Sequence, residues 1–406
     1  MRSTKLQFQG SQGNLLSARL DLPVDGSPMA YALFAHCFTC TKNLKAVAYI
    51  SRALTRQRIG VLRFDFTGLG DSEGDFADTN FSSNVGDLVA AARFLEADYA
   101  APRILIGHSL GGAVVLQAAA KIPACRAVAT IGAPADPLHV NRLLHDHADV
   151  IAEKGEAMVT LEGRDFKIKQ QFLDDLERPR MAAAIKNLKK ALLIFHSPVD
   201  QIVGIENAAG IFQAARHPKS FVSLDRADHL LTDSADAEYV GTVTAAWARK
   251  YMGRPEAEKA GKPPVDPRVT ARIGNTGFRT EIMANGLSLV ADEPLAVGGT
   301  NTGPTPYDYL TAGLGACTAM TLRMYADRKK WPLEEVVVHL SHAKVHAADC
   351  QACESKEGRV DRIEREVTLV GELDESQQQR LLEIADRCPV HRTLISEIMI
   401  DTRLKR

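Results

Sequence analysis

Short, continuously apolar runs separated by longer stretches of helical periodicity recur from Leu15 to about Trp247. Examples are AYALFAH (Ala30 to His36), GVLRFD (Gly60 to Asp65), RILIGH (Arg103 to His108) and ALLIFHS (Ala191 to Ser197). Strands that are apolar at every position, rather than at alternate ones, belong to sheets covered by helices on both faces. Strands alternating with helices build parallel βαβ units. The pattern predicts a mostly parallel, doubly wound α/β sheet over residues 1–252. Between about Asp136 and Ala191 the rhythm gives way to charged, helix-favouring sequence, RDFKIKQQFLDDLERPRMAAAIKNLKK, and a helical cap over about 136–190 is expected.

Residues Gly253 to Pro267 hold four prolines and almost no large apolar side chain, so this stretch cannot bury a core face and reads as a linker. Beyond it the period changes. RVTARI and FRTEIMANGLSLVAD alternate as antiparallel strands do, and an apolar helix is expected from about Tyr307 to Arg328. VVVHLSHAKVH and RIEREVTLVGEL follow as strands, and ESQQQRLLEIADRC as a helix that stops before Pro389. An α+β domain over 268–406 is therefore predicted. No internal repeat or low-complexity tract is present.

The chain's length agrees with two domains, because single cores stop growing at roughly 250–300 residues and this chain has 406. With 49 basic against 50 acidic residues, no whole-chain field of one sign draws it to nucleic acid or to an anionic membrane. Small-molecule chemistry is favoured. The N-terminal sequence lacks an apolar stretch of signal-peptide length, and no run of about 18 apolar residues is free of charge. Seven cysteines without an export signal read as thiols kept reduced in a cytoplasm.

GHSLGG (Gly107 to Gly112) fits a G-x-S-x-G elbow between the strand RILI and the helix AVVLQAAAK. That context lifts the Ser109 hydroxyl above the sheet. Serine needs a histidine to take its proton and a carboxylate to orient the histidine. Asp200, after ALLIFHS, and His229, after SFVSL, lie at the carboxyl ends of predicted strands in the order Ser, acid, His. The plainer accounts are a helix cap for Asp200 and a hydrogen-bonded turn for His229. His108 and the other histidines read as structural.

With these motifs, AHCFTCTKN (Ala35 to Asn43) and FDFTGLGDSEG (Phe64 to Gly74), the first 250 residues resemble the α/β-hydrolase superfamily, nearest its serine-aminopeptidase-like or lysophospholipase-like branch. The resemblance implies hydrolysis of ester, thioester or amide bonds without a cofactor. It also implies an oxyanion hole from the backbone of Leu110 and Phe38. The early loop usually reads His-Gly, whereas here Cys37 follows His36. Cys37 and Cys40 form a C-x-x-C pair for which redox sensing, metal binding and simple loop packing all stand open.

In the second domain Cys317 falls in a helix of small and apolar residues, and Cys388 falls where a helix meets Pro389, near Arg387, His391 and Arg392. Positive neighbours lower a thiol's pKa. GPTPYDYLTAGLGACTAMTLRMYA and RCPVHRTL resemble the OsmC/Ohr family of organic-hydroperoxide reductases. The resemblance implies that Cys317 attacks the peroxide, that Cys388 resolves the sulfenic acid as a disulfide, that an external dithiol restores the pair, and that the domain forms a homodimer. The family's glutamate ten residues before the first cysteine is replaced by Tyr307. Asp308 is the candidate substitute, and the partner arginine stands open among Arg272, Arg279 and Arg323. A non-catalytic dimerisation or ligand-binding role is the alternative. His342, His346, Cys350 and Cys353 raise the question of zinc, but histidines at this spacing on a strand do not converge without a turn, and no metal is expected.

Overall fold

A computed structural model describes residues 1–37, 40–139, 147–161, 164–177, 181–252, 268–346 and 359–404. The chain divides into two compact units, Met1–Arg272 with Glu281–Leu289, and Ile273–Thr280 with Val290–Arg406. The expected linker, 253–267, lies outside the described residues.

In chain order the first unit holds β1 (Arg2–Gln9), β2 (Leu15–Leu22), β3 (Ala30–Ala35), α1 (Lys45–Arg56), β4 (Ile59–Phe64), α2 (Phe81–Asp98), β5 (Ile104–His108), α3 (Leu110–Ala118) and β6 (Ala127–Ile131). It continues with α4 (Ala148–Lys154), β7 (Glu156–Leu161), β8 (Arg164–Lys169), α5 (Gln170–Leu176), α6 (Met181–Lys186), β9 (Ala191–His196), α7 (Glu206–Ala214), β10 (Lys219–Ser223) and α8 (Ser234–Met252). Eight strands form one sheet in the order β1-β2-β4-β3-β5-β6-β9-β10. The pairs β1/β2 and β2/β4 are antiparallel, and every pair from β4/β3 to β9/β10 is parallel.

Alternate residues of the central strands feed two separate apolar layers. Leu33, Leu62, Leu105, Val128 and Leu192 face α2 and α3, while Phe34, Val61, Ile106, Ala129 and Phe195 face α1 and α8. Both faces are covered, which is why these strands carry no polar alternation. Each fully buried large side chain contributes about 1.5–3 kcal/mol relative to exposure, so this two-layer core can carry a number of buried charges at the sheet's edge.

The cap differs from the expectation of helices alone. β7 and β8 form an antiparallel hairpin, with Glu156 opposite Lys169 and Phe166 and Ile168 buried at alternate positions. Phe166 packs on Phe76 with ring centroids 4.9 Å apart. Asp175 of α5 accepts from the Ser82 amide at 2.7 Å and its hydroxyl at 2.8 Å, which docks the cap on the start of α2. A carboxylate is favoured at that positive helix end.

The remaining strands and helices are β11 (Thr270–Ile273), β12 (Thr280–Ala284), β13 (Leu287–Ala291), α9 (Pro306–Lys329), β14 (Leu333–His346), β15 (Arg359–Gly371), α10 (Glu375–Ala385) and α11 (Pro389–Leu394). β11, β12 and β13 form one sheet in that order, and β14 and β15 a second. Asn285 and Gly286 between β12 and β13 both take positive φ, as a two-residue hairpin turn requires. In the second unit α9, β14 and α10 enclose a small apolar cluster of Leu322, Ala326, Leu333, Leu381, Ile384 and Ala385. Among the described residues no helix is long and apolar enough to cross a membrane.

Candidate active sites

All parallel strands end on one edge of the sheet, and the predicted hydrolase residues Ser109, Asp200 and His229 lie on the segments that follow β5, β9 and β10 at that edge. Ser109 leaves β5 at φ +55° and ψ −127°, a conformation that is costly for any residue with a Cβ and persists only where the surroundings enforce it. They do. The Ser109 amide donates to the Ile131 carbonyl at 2.8 Å and its carbonyl accepts from Gly112 at 2.8 Å. A side chain at Gly107 would strike the backbone of Gly111, and one at Gly111 would strike the Ala35 and His36 carbonyls, so both positions need glycine.

Asp200 Oδ2 accepts from His229 Nδ1 at 2.7 Å, and Asp200 Oδ1 accepts the Ile202 and Val203 amides at 2.9 Å each. Burial alone would raise the Asp200 carboxyl, but the His229 hydrogen bond, its charge and the two amides outweigh this and hold the pKa below the ordinary carboxylate value. The proton therefore sits on Nδ1, leaving Nε2 as acceptor. Gly132, at φ +53°, lies against this pair, where a Cβ would stand 3.2 Å from Asp200 Oδ2 and 3.3 Å from His229 Nδ1. His108 has a part beyond packing: its Nε2 donates to the His229 carbonyl at 2.7 Å. Burial drives its pKa down to about 3, so it donates as a neutral ring.

The loop after β3 is held by buried charge. Lys42 is 2% exposed and Asp65 is fully buried. Asp65 accepts the Lys42 amide at 2.6 Å, its ammonium group, and the Asp71 amide at 2.9 Å. Arg63 donates to the Lys42 carbonyl at 2.5 Å and to Asp21 at 2.7 Å. A buried pair of this kind is stable only with its remaining hydrogen bonds satisfied, and here the loop amides satisfy Asp65 while the Asp71 carboxylate, at 2.8 Å, is the second partner of Lys42. Leu110 is buried at the start of α3, whereas Phe38 lies outside the described residues. The expectation that every cysteine is a thiol fails here: Cys37 and Cys40 form a disulfide. The turn brings the Cys40 amide onto the Cys37 carbonyl at 3.2 Å, and metal binding by the pair has no support.

In the second unit Cys317 is half-buried on α9, and Cys388 is wholly buried at the start of α11. Burial raises the Cys388 thiol, but hydrogen bonds from the Cys317 thiol, the His391 amide, the Thr318 hydroxyl and the Val390 amide outweigh it and lower the pKa. The structure thus brings the two sulfurs together. Asp308 does not reach them. Its Oδ2 is taken by the Thr305 amide and hydroxyl, each at 2.8 Å, as the capping box of α9, and nine residues of helix put it roughly 13 Å along the axis from Cys317. Tyr307 stacks on His342, with ring centroids 4.2 Å apart, and His342 bonds Asp361 at 2.8 Å.

The three arginine candidates for the partner of Cys317 are exposed or bonded to other groups. Arg272 is exposed on β11, Arg279 bonds Thr302, and Arg323 bonds the Leu333 and Glu334 carbonyls. Arg365 of β15 reaches the residues next to the two cysteines. It donates to Thr318 Oγ1 at 3.1 Å, to the Ala385 carbonyl at 3.2 Å and to Asp386 at 2.6 Å. Cys350 and Cys353 lie outside the described residues, and among the described residues no group of three metal-ligating side chains converges.

With the elbow and the aspartate-histidine pair in place, the comparisons with known proteins are decisive. Residues 32–243, just over half of the chain, match the alpha/beta hydrolase family. The chain belongs to that family. Residues 299–403 match the OsmC-like protein family, so the hydrolase domain is fused to an OsmC-like domain. The esterase domain of a Rhodothermus marinus protein is 59% identical, is covered over 100% of its length and covers 62% of this chain, with a TM-score of 0.53. Est1E from Butyrivibrio proteoclasticus, solved with ferulic acid, is 19% identical over 61% of this chain and 99% of its own, TM-score 0.51. Mouse alpha/beta hydrolase domain-containing protein 10 is 21% identical over 61% and 99%, TM-score 0.52. The last two share the fold. No curated protein sequence matches.

Two groups at the hydrolase and OsmC-like sites escape sequence reasoning: Asp65 with Lys42, and Arg365. Only Arg365 left a signal. It shares a strand face with Ile363, Val367 and Leu369, whose neighbours are exposed, and a guanidinium on an apolar face asks for a partner.

Proposed function

We propose that the hydrolase domain is a serine esterase acting on small-molecule esters, with thioesters and amides as chemically related substrates. The observation that carries this is the 2.7 Å bond between Asp200 and His229 on the sheet edge that also presents Ser109 from its strained elbow. His229 Nε2 takes the Ser109 proton as Oγ attacks the carbonyl carbon, and the amides of Leu110 and Phe38 receive the oxyanion. The alcohol departs with the proton from His229, and water repeats the sequence on the acyl-serine. The 59% identity to a protein described as an esterase domain supports this choice of bond.

The same proposal gives the OsmC-like domain a thiol-dependent reduction of organic hydroperoxides. The Cys317 thiolate attacks the O–O bond, an alcohol leaves, and the sulfenic acid condenses with Cys388 to a disulfide and water. An external dithiol then restores both thiols and is itself oxidised. The hydrogen bonds gathered on Cys388 support its resolving part. A second copy of the chain fits this domain, because Leu310, Met320 and Met324 of α9 and Ile398, Met399 and Ile400 are exposed, more apolar surface than a lone domain ordinarily shows to water. Asp308, spent on capping, favours the alternative of a dimerising or ligand-binding domain without turnover.

Ser109→Ala removes p-nitrophenyl ester cleavage and leaves peroxide consumption, and Cys317→Ser does the reverse. Light scattering at micromolar concentration gives twice the chain mass. Peroxide consumption that survives Cys317→Ser selects the non-catalytic reading, and ester cleavage that survives Ser109→Ala ends the hydrolase assignment.

A further inference from the structure

We propose that His196 is a positioning residue of the hydrolase site, which ties the Asp200 loop to the His229 segment and so holds the aspartate against its histidine. This rests on the esterase reading of that domain, in which the pair activates Ser109. His196 is the last residue of β9 and is fully buried. Its backbone is fixed on both sides of the strand. The Phe195 carbonyl accepts the Gly132 amide at 2.9 Å, and the His196 carbonyl accepts the Leu224 amide at 2.9 Å. Leu224 directly follows β10 and begins the segment that carries His229.

The ring reaches the other loop. Nε2 stands 2.7 Å from the Val203 carbonyl. A carbonyl only accepts, so Nε2 carries the proton and donates it. Val203, itself 2% exposed, is thereby held through both of its polar atoms: its carbonyl by His196 and its amide by Asp200 Oδ1 at 2.9 Å. That amide and the one from Ile202 orient the carboxylate. The same Nε2 lies 3.8 Å from Asp200 Oδ2, the oxygen that accepts His229 Nδ1 at 2.7 Å. A polarised N–H group therefore also borders the oxygen on which the tautomer of His229 depends.

Filling space does not call for a histidine here. Nδ1 is buried and, among the described residues, has no hydrogen-bond partner, which works against stability and which a leucine would avoid. What the residue contributes lies in the bond of Nε2. Without that donor the Val203 carbonyl is left buried and unpaired, the turn from Asp200 to Val203 shifts to satisfy it, and the carboxylate moves with the turn.

The test uses the full chain and three variants. His196→Leu removes the donor, His196→Asn keeps a polar side chain too short to reach Val203, and His196→Gln returns an N–H group at the position of Nε2. Each is assayed with p-nitrophenyl acetate beside a thermal melt, and the far-downfield proton resonance of the Asp200–His229 hydrogen bond is recorded by NMR. In the Leu and Asn variants kcat is expected to fall about ten- to a hundredfold, with KM changed less than about threefold, as for a small misplacement of the machinery. Their downfield resonance shifts or disappears, and His196→Gln recovers most of the rate and the resonance. A folded Leu or Asn variant with wild-type kcat and an unmoved resonance overturns the proposal, as does a Gln variant no better than Leu. Failure of all three to fold overturns it too, because Gln supplies the same bond. Where only His196→Leu fails to fold, Asn against Gln decides. A wild-type chain that shows the resonance but cleaves no ester strikes the esterase reading instead, and the resonances of the variants then decide the part played by His196.

Discussion

Asp200→Asn tests the arrangement of the hydrolase site most directly. The carboxylate has a fixed division of labour: Oδ1 accepts the amides of Ile202 and Val203, and Oδ2 accepts His229 Nδ1. In the variant the side-chain carbonyl keeps the two amides, which turns the NH2 group toward Nδ1. Nδ1 must then accept, the imidazole proton moves to Nε2, and the ring cannot take the Ser109 proton. The opposite orientation restores the tautomer but strands one part-buried and one buried amide, at about 1–3 kcal/mol each. Roughly 2–6 kcal/mol then separates the variant from its competent form. Together with lost stabilisation of the imidazolium, kcat is expected to fall about 10³ to 10⁴-fold, or about 4–5.5 kcal/mol. The assay is p-nitrophenyl acetate hydrolysis at pH 7.5, beside a thermal melt that checks folding. Because the folded carboxyl lies below its unfolded value of about 3.9, its contribution to stability is present above that pH and is lost as pH falls through the lowered value. The stability difference between wild type and variant therefore closes below about pH 4. A fall in kcat of less than tenfold with an intact melt refutes the assigned geometry.

Asp65→Asn leaves Lys42 with the exposed Asp71 carboxylate as its remaining partner, which is expected to cost about 1.5–3 kcal/mol and to lower Tm by roughly 5 °C; a shift below 2 °C in a scanning melt counts against the buried pair. His108→Phe removes the donor to the His229 carbonyl and is expected to lower kcat about tenfold, from about 1.4 kcal/mol of lost positioning. The pH profile should keep its shape, because His108 is already neutral above about pH 3, and a displaced acid limb rejects this part for His108. Arg365→Met removes the guanidinium that holds Thr318, whose hydroxyl bonds the Cys388 thiol, and is expected to raise the Cys388 pKa. Thiolate absorbance at 240 nm against pH reads the shift, and an unmoved titration rejects a link from Arg365 to Cys388.

The central sheet was legible because burial on both faces imposes a pattern that local sequence carries: GVLRFD and ALLIFHS have no polar alternation, and the strands that enclose them in β4 and β9 are wholly buried. The elbow was legible for a different reason, since sterics at Gly107 and Gly111 leave no other residue possible. The β7–β8 hairpin was hidden because its period-two signal rests on Phe166 and Ile168 within a segment rich in lysine and arginine. Long-range polar pairing was also hidden. Asp65 meets Lys42 across 23 positions and His108 meets His229 across 121, and no periodicity encodes such distances. The Cys37–Cys40 pair shows the limit of composition: reading all cysteines as reduced thiols follows from the whole chain, whereas the turn at Cys40 is decided within four residues.

The buried polar groups of the first unit fall into a pattern that bears on how its site is held. Buried ion pairs are weak contributors to stability, since desolvation consumes most of their attraction. Yet Lys42, Asp65, Arg63, Asp21, His36, His108 and Asp200 are all buried, and most are tied to loops at the carboxyl edge of the sheet. An apolar side chain can fill such a space but cannot fix the direction of a backbone amide. Asp65 does so, by accepting both the Lys42 and Asp71 amides, and His108 does so for the carbonyl of His229. Stability and geometry are thus supplied by different parts of the molecule. The two apolar layers make the sheet stable enough to tolerate buried charge, and the charge fixes the direction of the loop backbone at its carboxyl edge.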